Sequence, residues 1–171
     1  VAAMAEVQRL LQAAGAHIER VDPSSREGRW WVSRYFAELA ERFPQGFDAT
    51  RSLPADDADL RPPRGAFLVA QVDGDVVASG ALKGIGPGTG SLKRMWVAPL
   101  VRGLGFGRRM LEALESEARA LGMHTLRLET NGTLAEAVAL YGSAGYVEVA
   151  AFSDDPYAEH WFEKRLGAGA S

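Results

Sequence analysis

Lys93-Arg94-Met95-Trp96-Val97-Ala98-Pro99-Leu100-Val101-Arg102-Gly103-Leu104-Gly105-Phe106-Gly107-Arg108-Arg109 is the stretch on which the fold turns. Residues 91–97 read as a strand that stops before Pro99. Past the glycines, Phe106, Met110, Leu111, Leu114, Ala118 and Leu121 fall on one face of a helix that Gly122 is placed to end. Gly103, Gly105 and Gly107 therefore stand between a strand and an amphipathic helix, where several backbone N–H groups can converge on one anion with no side chain in the way. The helix dipole favours the same charge, and Arg102, Arg108 and Arg109 form a dense basic cluster around the turn. That chemistry suits a phosphate or pyrophosphate. Neither of two familiar phosphate loops fits. A Walker A loop ends in Gly-Lys-Ser/Thr where this one has Gly107-Arg108-Arg109, and a dinucleotide fingerprint needs its last glycine where Arg108 stands. Taken alone, the same turn also serves close packing of a helix on a strand.

Upstream, residues 66–72 and 76–82 read as strands around Asp73-Gly74, a pair suited to a tight antiparallel hairpin, and Gly84, Gly86, Pro87, Gly88 and Gly90 read as the next turn. Earlier still, Ala3, Val7, Leu10, Leu11 and Ala14 share a helical face, 17–21 is a strand and 23–28 a turn. Trp31, Tyr35, Phe36, Leu39, Ala40 and Phe43 then mark a second helix halted by Pro44. The polar, Pro-rich stretch 47–65 has no period and is a long loop. Downstream, 124–129 is a strand, and Thr133 and Glu136 have capping-box spacing for a helix that ends near Gly145. Residues 146–152 and 157–166 supply two more strands joined by Ser153-Asp154-Asp155-Pro156. The chain divides into an N-terminal helix over 1–15, one α/β domain over 16–166 and a frayed tail over 167–171.

At 171 residues, 47% hydrophobic and 24% charged, the chain can bury one real core, which excludes disorder and collagen-like repetition. Its formal net charge of −3 gives no general attraction to polyphosphate, so no nucleic acid is expected to bind this chain alone. With no cysteine and only three histidines, disulfides, thiolate nucleophiles and cysteine zinc sites are excluded and no metal centre is expected. No apolar run approaches the ~20 residues of a membrane span and no signal sequence is visible, which points to a cytoplasmic protein without a membrane partner.

Arg102-Gly103-Leu104-Gly105-Phe106-Gly107, coming after Lys93-Arg94-Met95-Trp96-Val97-Ala98-Pro99, resembles the acetyl-coenzyme A signature of the GCN5-related N-acetyltransferases (GNAT family). The family pattern of Arg or Gln, two residues, Gly, one residue, then Gly or Ala falls on Arg102, Gly105 and Gly107. The resemblance runs from about His17 to Leu166, and Leu140-Tyr141 with Gly145-Tyr146 looks like the family's late helix and turn. It implies the GNAT fold: a mixed, twisted central sheet, splayed apart and flanked by helices, with acetyl-coenzyme A wedged between the strand ending at Val97 and the one ending near Thr130. The pantetheine arm would meet the backbone of Met95, Trp96 and Val97. The pyrophosphate would meet the amides of Arg102, Gly103, Leu104, Gly105, Phe106, Gly107 and Arg108. Asn131 sits where the family often contacts the arm, although it also suits the turn before Gly132.

The implied reaction moves the acetyl group directly to a primary amine of a small molecule. Tyr141 matches the family tyrosine near the sulfur, and the backbone amide of Val97 is the donor for the thioester oxygen. Many relatives carry a Glu base where this chain has Ser91, which leaves Glu129 as the first substitute, acting through water, with His160 and Asp154 after it. Asp154 and His160, together with Asp56, Asp57 and Asp59 of the acidic loop, are candidates for facing a cationic acceptor. Ser91 in place of Glu also leaves room for an alternative, a non-catalytic acetyl-coenzyme A-binding regulatory module; retention of Tyr141 speaks against it. Residues 1–11 resemble the final helix of a MarR-type regulator of the kind fused upstream of an acetyltransferase. An apolar stripe there would have packed on the missing domain or on a second copy in a homodimer.

Overall fold

A computed structural model of the chain describes residues 2–6, 15–43, 57–132 and 134–167. The elements follow in the order β1 (His17–Arg20), α1 (Arg26–Arg42), β2 (Gly65–Val72), β3 (Asp75–Gly86), β4 (Thr89–Val97), α2 (Phe106–Ala120), β5 (Thr125–Thr130), α3 (Ala135–Ser143), β6 (Val147–Val149) and β7 (His160–Arg165). Short 3-10 turns lie at Asp57–Leu60 and Pro99–Val101. The strands form one mixed sheet in the order β1-β2-β3-β4-β5-β7-β6.

Every neighbouring pair is antiparallel except β4 and β5. These two run parallel and are joined only at Thr89↔Thr125, Gly90↔Leu126 and Ser91↔Arg127. Beyond that point the remainders of β4 and β5 separate, and the sheet opens into a V. A bulge in β4 contributes to the parting. Ser79 faces Trp96 and Ala81 faces Lys93, so Arg94 and Met95 together stand against Gly80. Arg94 takes a left-handed conformation, φ 54°, and its carbonyl accepts the Ser79 hydroxyl at 3.1 Å. Bulges of this kind bend and twist the strand that carries the extra residue.

The two faces of the sheet are covered by different helices. Phe106, Met110, Leu111, Leu114 and Ala118 of α2, all at most 2% exposed, pack with Leu68, Ala70, Leu82, Leu126 and Leu128. On the other face Trp31 of α1 joins Phe67, Val69, Ala81 and Trp96. The Asp73-Gly74 turn has both residues at positive φ, 51° and 82°, as a two-residue hairpin of the expected kind requires.

Several boundaries differ from the sequence reading. Helix α1 begins at Arg26, ahead of its apolar stripe, because the Ser25 hydroxyl accepts from the Gly28 amide at 3.0 Å. The glycine turn over 84–90 shrinks to Pro87 and Gly88, since Gly84 and Gly90 pair within the strands. Gly90 is needed there for space: a Cβ would lie 2.6 Å from Met123 Sδ. Helix α3 begins after Leu134 with no side-chain cap, and Glu136, expected to close a capping box, reaches Arg42 instead. Thr133 lies outside the described residues, as do 7–14 of the first expected helix, 47–56 of the long loop and 168–171 of the tail. Ala2–Glu6 are helical and exposed. The strand expected over 146–152 is confined to Val147–Val149, the residues with partners on β7, and β7 itself starts at His160.

The bulge, Gly80 and α2 fit together closely. A Cβ on Gly80 would lie 2.6 Å from Leu114 Cδ1 and 2.8 Å from Met95 Sδ. Gly80→Ala is expected to destabilise the protein by about 1–3 kcal/mol through overpacking, read from the shift of a urea unfolding midpoint. An unchanged midpoint would show that the bulge yields freely.

Candidate active site

The V and the glycine turn meet at one place. Gly103 and Gly105 have φ of 81° and 84°, a region that side-chain-bearing residues rarely enter, and a Cβ on either would touch nothing. Their requirement is conformational. Gly107 is helical, and there a Cβ would come within 2.6 Å of Leu140 Cδ2 on α3, so its requirement is room. Gly105 caps α2 without any side-chain hydrogen bond, which leaves the first amides of the helix directed at the cleft. Arg102 donates from Nε to the Val97 carbonyl at 3.1 Å, and Arg108 reaches the Ser143 hydroxyl at 2.8 Å, so both guanidinium groups border the turn. Arg109 points elsewhere: it donates to the Ala16 carbonyl at 2.8 Å and lies over the Phe106 ring.

A cavity of about 380 Å³ runs from this turn between the separated end of β4 and α3. Met95, Trp96 and Val97 of β4 line one side, and Leu134, Ala137, Leu140 and Tyr141 line the other. Of the residues expected to hold the cofactor, Arg102, Gly103, Gly105, Phe106, Gly107 and Arg108 also border it. Leu104 packs instead against the core, and Asn131 is turned away, donating from Nδ2 to the Tyr157 carbonyl at 2.8 Å. The Ala98 amide donates to Val77 across the β3 side at 2.8 Å. Because successive amides of a strand point to opposite edges, the Val97 N–H is directed into the opening toward β5.

Tyr141 is 5% exposed, held edge-on to Tyr146 and tilted against Phe162, each with ring centroids 6.0 Å away. Its hydroxyl has no hydrogen-bond partner among the described residues. Burial pushes the phenol pKa well above its ordinary value, with Tyr35 adding to the shift, so the group keeps its proton across the neutral range. Behind the ring, Glu115 accepts from the Tyr146 hydroxyl at 3.1 Å and from Lys164 Nζ at 2.9 Å, and Lys164 also donates to the Ala144 carbonyl at the end of α3.

Glu129 lies on β5 beside the V but outside the cavity wall. Its Oε1 is 3.4 Å from Lys93 Nζ, and its Oε2 accepts from Ser153 Oγ at 2.8 Å, which in turn accepts from Trp161 Nε1 at 3.0 Å. Ser91 is 4% exposed, buried in the paired part of β4. His160 is paired through Nδ1 to Glu148 at 2.7 Å, and Asp154 is exposed on its loop; neither lines the cavity. Asp59 faces away from the site and pairs with Lys83 at 3.3 Å and Arg64 at 3.8 Å, while Asp56 lies outside the described residues.

Sequence reasoning missed the contribution of α1. Tyr35, Leu39 and Arg42 line the same cavity, and Arg42 grips Glu136 of α3 through both guanidinium nitrogens, one at 2.9 Å. Tyr35 and Leu39 carry only the ordinary signal of a helix face turned inward. The Arg42–Glu136 pair joins residues 94 positions apart and has no local signal at all.

A splayed sheet with an uncapped helix terminus at its mouth is the architecture of an acyl-coenzyme A-dependent transferase. Residues 29–146 match the family model of the GNAT acetyltransferases. The chain is 43% identical over 127 residues to an IAA acetyltransferase of Azospirillum brasilense, covering 74% of this chain and 77% of the relative. An acyl-CoA N-acyltransferase from Klebsiella pneumoniae superposes with a TM-score of 0.72 at 29% identity, covering 89% of this chain and 98% of that one. The acetyltransferase YncA of Salmonella typhimurium, whose structure holds acetyl-CoA, shares the fold with a TM-score of 0.65 at 15% identity over 92% of this chain and 97% of that one. The chain belongs to the GNAT family and is an acetyl-coenzyme A-dependent N-acetyltransferase.

Among the described residues no helix is long and apolar enough to cross a membrane, and no group of three or more His, Asp or Glu side chains is gathered as for a metal.

Filling the cradle should separate cofactor binding from folding. Gly107→Leu is expected to weaken acetyl-coenzyme A binding at least about tenfold by calorimetry, roughly 1.4 kcal/mol, in a protein that still melts cooperatively. Unchanged affinity in that folded variant would remove the turn from the cofactor site.

Proposed function

We propose that the enzyme moves the acetyl group directly onto a primary amine of a small molecule, with Val97, Tyr141 and Glu129 as its working groups. The observation that carries the reading is the convergence on one cavity of the Val97 amide, the buried Tyr141 hydroxyl and the uncapped start of α2. The residues fit the cosubstrate. The amides between Arg102 and Arg108 receive the pyrophosphate, and the unpaired edge at Met95, Trp96 and Val97 receives the amide groups of the pantetheine arm. When bound, acetyl-coenzyme A supplies a thioester whose carbonyl carbon accepts the amine nitrogen and whose sulfur leaves with the bonding electron pair.

The Val97 N–H holds the carbonyl oxygen as negative charge gathers on it. The Tyr141 hydroxyl, neutral because it is buried, donates to the departing sulfur. Glu129 receives the proton that the amine must lose, through water, since it stands outside the cavity wall and is fixed by Lys93 and Ser153.

Coenzyme A release in the presence of a panel of primary amines tests the activity directly and excludes the purely binding alternative when it is seen. Tyr141→Phe is expected to keep acetyl-coenzyme A affinity while lowering turnover on the order of 100-fold. Equal turnover, measured where chemistry limits the rate, would remove Tyr141 from the reaction. Glu129→Gln should change the pH–rate profile of kcat, and an identical profile would hand its role to bulk water.

A further inference from the structure

The cavity continues to α1, where the cofactor signature has no counterpart. Its wall there is Tyr35 and Leu39 from α1 and Trp96 from β4. Leu39 is 6% and Trp96 8% exposed, and Trp96 is braced from behind by Trp31 at 5.2 Å between ring centroids. The Trp96 Nε1 is buried with no hydrogen-bond partner among the described residues. This is an apolar, aromatic surface on rigid elements.

Charge narrows what can sit on it. Glu136 is the one carboxylate among the described residues of the lining, and Arg42 holds it at both oxygens. Asp59, expected to greet a cation, is paired with Lys83 away from the cavity. A second ammonium group on the acceptor would therefore find, among the described residues lining the cavity, no carboxylate besides the one that Arg42 already holds. Burial pushes the Tyr35 phenol up to about 12, with Arg94 opposing the shift and Asp155 adding to it, so one cationic and one anionic side chain both act near this wall. An acceptor carrying one negative charge is compatible with that neighbourhood.

We infer that the acceptor is a monoamine with a flat apolar body, an arylalkylamine or an aromatic amino acid, whose ring rests against Trp96, Tyr35 and Leu39 while its amine points to the acetyl group. This rests on the acetyl-transfer reading and adds the substrate class. Polyamines and other polycations fit the same apolar wall less well.

The test compares coenzyme A release by the wild-type enzyme with 2-phenylethylamine, phenylalanine, ethylamine and spermidine. An aromatic amine should exceed both ethylamine and spermidine in kcat/KM by at least about tenfold, as burial of a ring allows. The ratio between the first two amines tells whether the α-carboxylate is welcome. Leu39→Ala, verified as folded by its melting curve, should raise KM for the better aromatic amine about tenfold and leave KM for acetyl-coenzyme A within about twofold. Spermidine or ethylamine turning over as well as the aromatic amines would overturn the proposal while leaving acetyl transfer intact. If no amine is acetylated, the transfer reading fails, and the pocket is judged by titrating the coenzyme A complex with 2-phenylethylamine and with phenylalanine. Saturable quenching of tryptophan fluorescence by either supports the aromatic seat, and none refutes it.

Discussion

Backbone pairing between β4 and β5 ends at Ser91 and Arg127, and the hydrogen-bonding edges it leaves have to be satisfied by something other than the neighbouring strand. The chain meets this demand in two ways. On the α1 face the next residues in register, Lys93 and Glu129, bring their side chains to 3.4 Å, so an ion pair continues across the opening where the backbone has stopped. Further out, no strand pairing follows among the described residues, and the Val97 amide faces the opening. The bulge at Arg94, the room made by Gly80 and the uncapped start of α2 all gather around that one interruption.

The elements near the glycine turn were legible because each rests on a local rule. The hairpin at Asp73-Gly74, the helix face from Phe106 to Ala118 and the positive φ of Gly103 and Gly105 follow from neighbours in sequence. Glu115 shows where local rules end. It lies on the buried side of α2 at 6% exposure, and its partners Tyr146 and Lys164 come from 31 and 49 residues away. The cap of α3 illustrates the same competition: a sequence spacing favoured Glu136 folding back on its own helix, and a guanidinium from α1 offered the stronger partner. The splay itself was accessible only through family resemblance, since strand pairing that fails halfway leaves no mark on composition.

The α1 end of the cavity escaped the sequence for a related reason. Acidic residues in a loop look like a cation site when their partners are unknown, and Asp59 proved to be balancing Lys83. The side chains that line that end, Tyr35, Leu39 and Trp96, read as ordinary core. The Arg42–Glu136 pair beside them is durable in acid. Arg42 holds the Glu136 carboxyl down to about 2 from an ordinary 4.5, so its contribution is complete above the ordinary value and is lost only as pH falls toward the lower one.

The single parallel joint has a mechanical consequence. It divides the sheet into two antiparallel leaves, β1 to β4 drawn from residues 17–97 and β5, β7 and β6 drawn from residues 125–165, each a continuous length of chain. Three register pairs and the packing of α2 form the spine between them. A ligand that bridged both leaves would work as a tendon, worth about 2.7 kcal/mol of added resistance to unfolding at a hundred times its dissociation constant. A cosubstrate seated that way would be a structural member of the molecule as well as a reactant, and its product would hold the book together until it left.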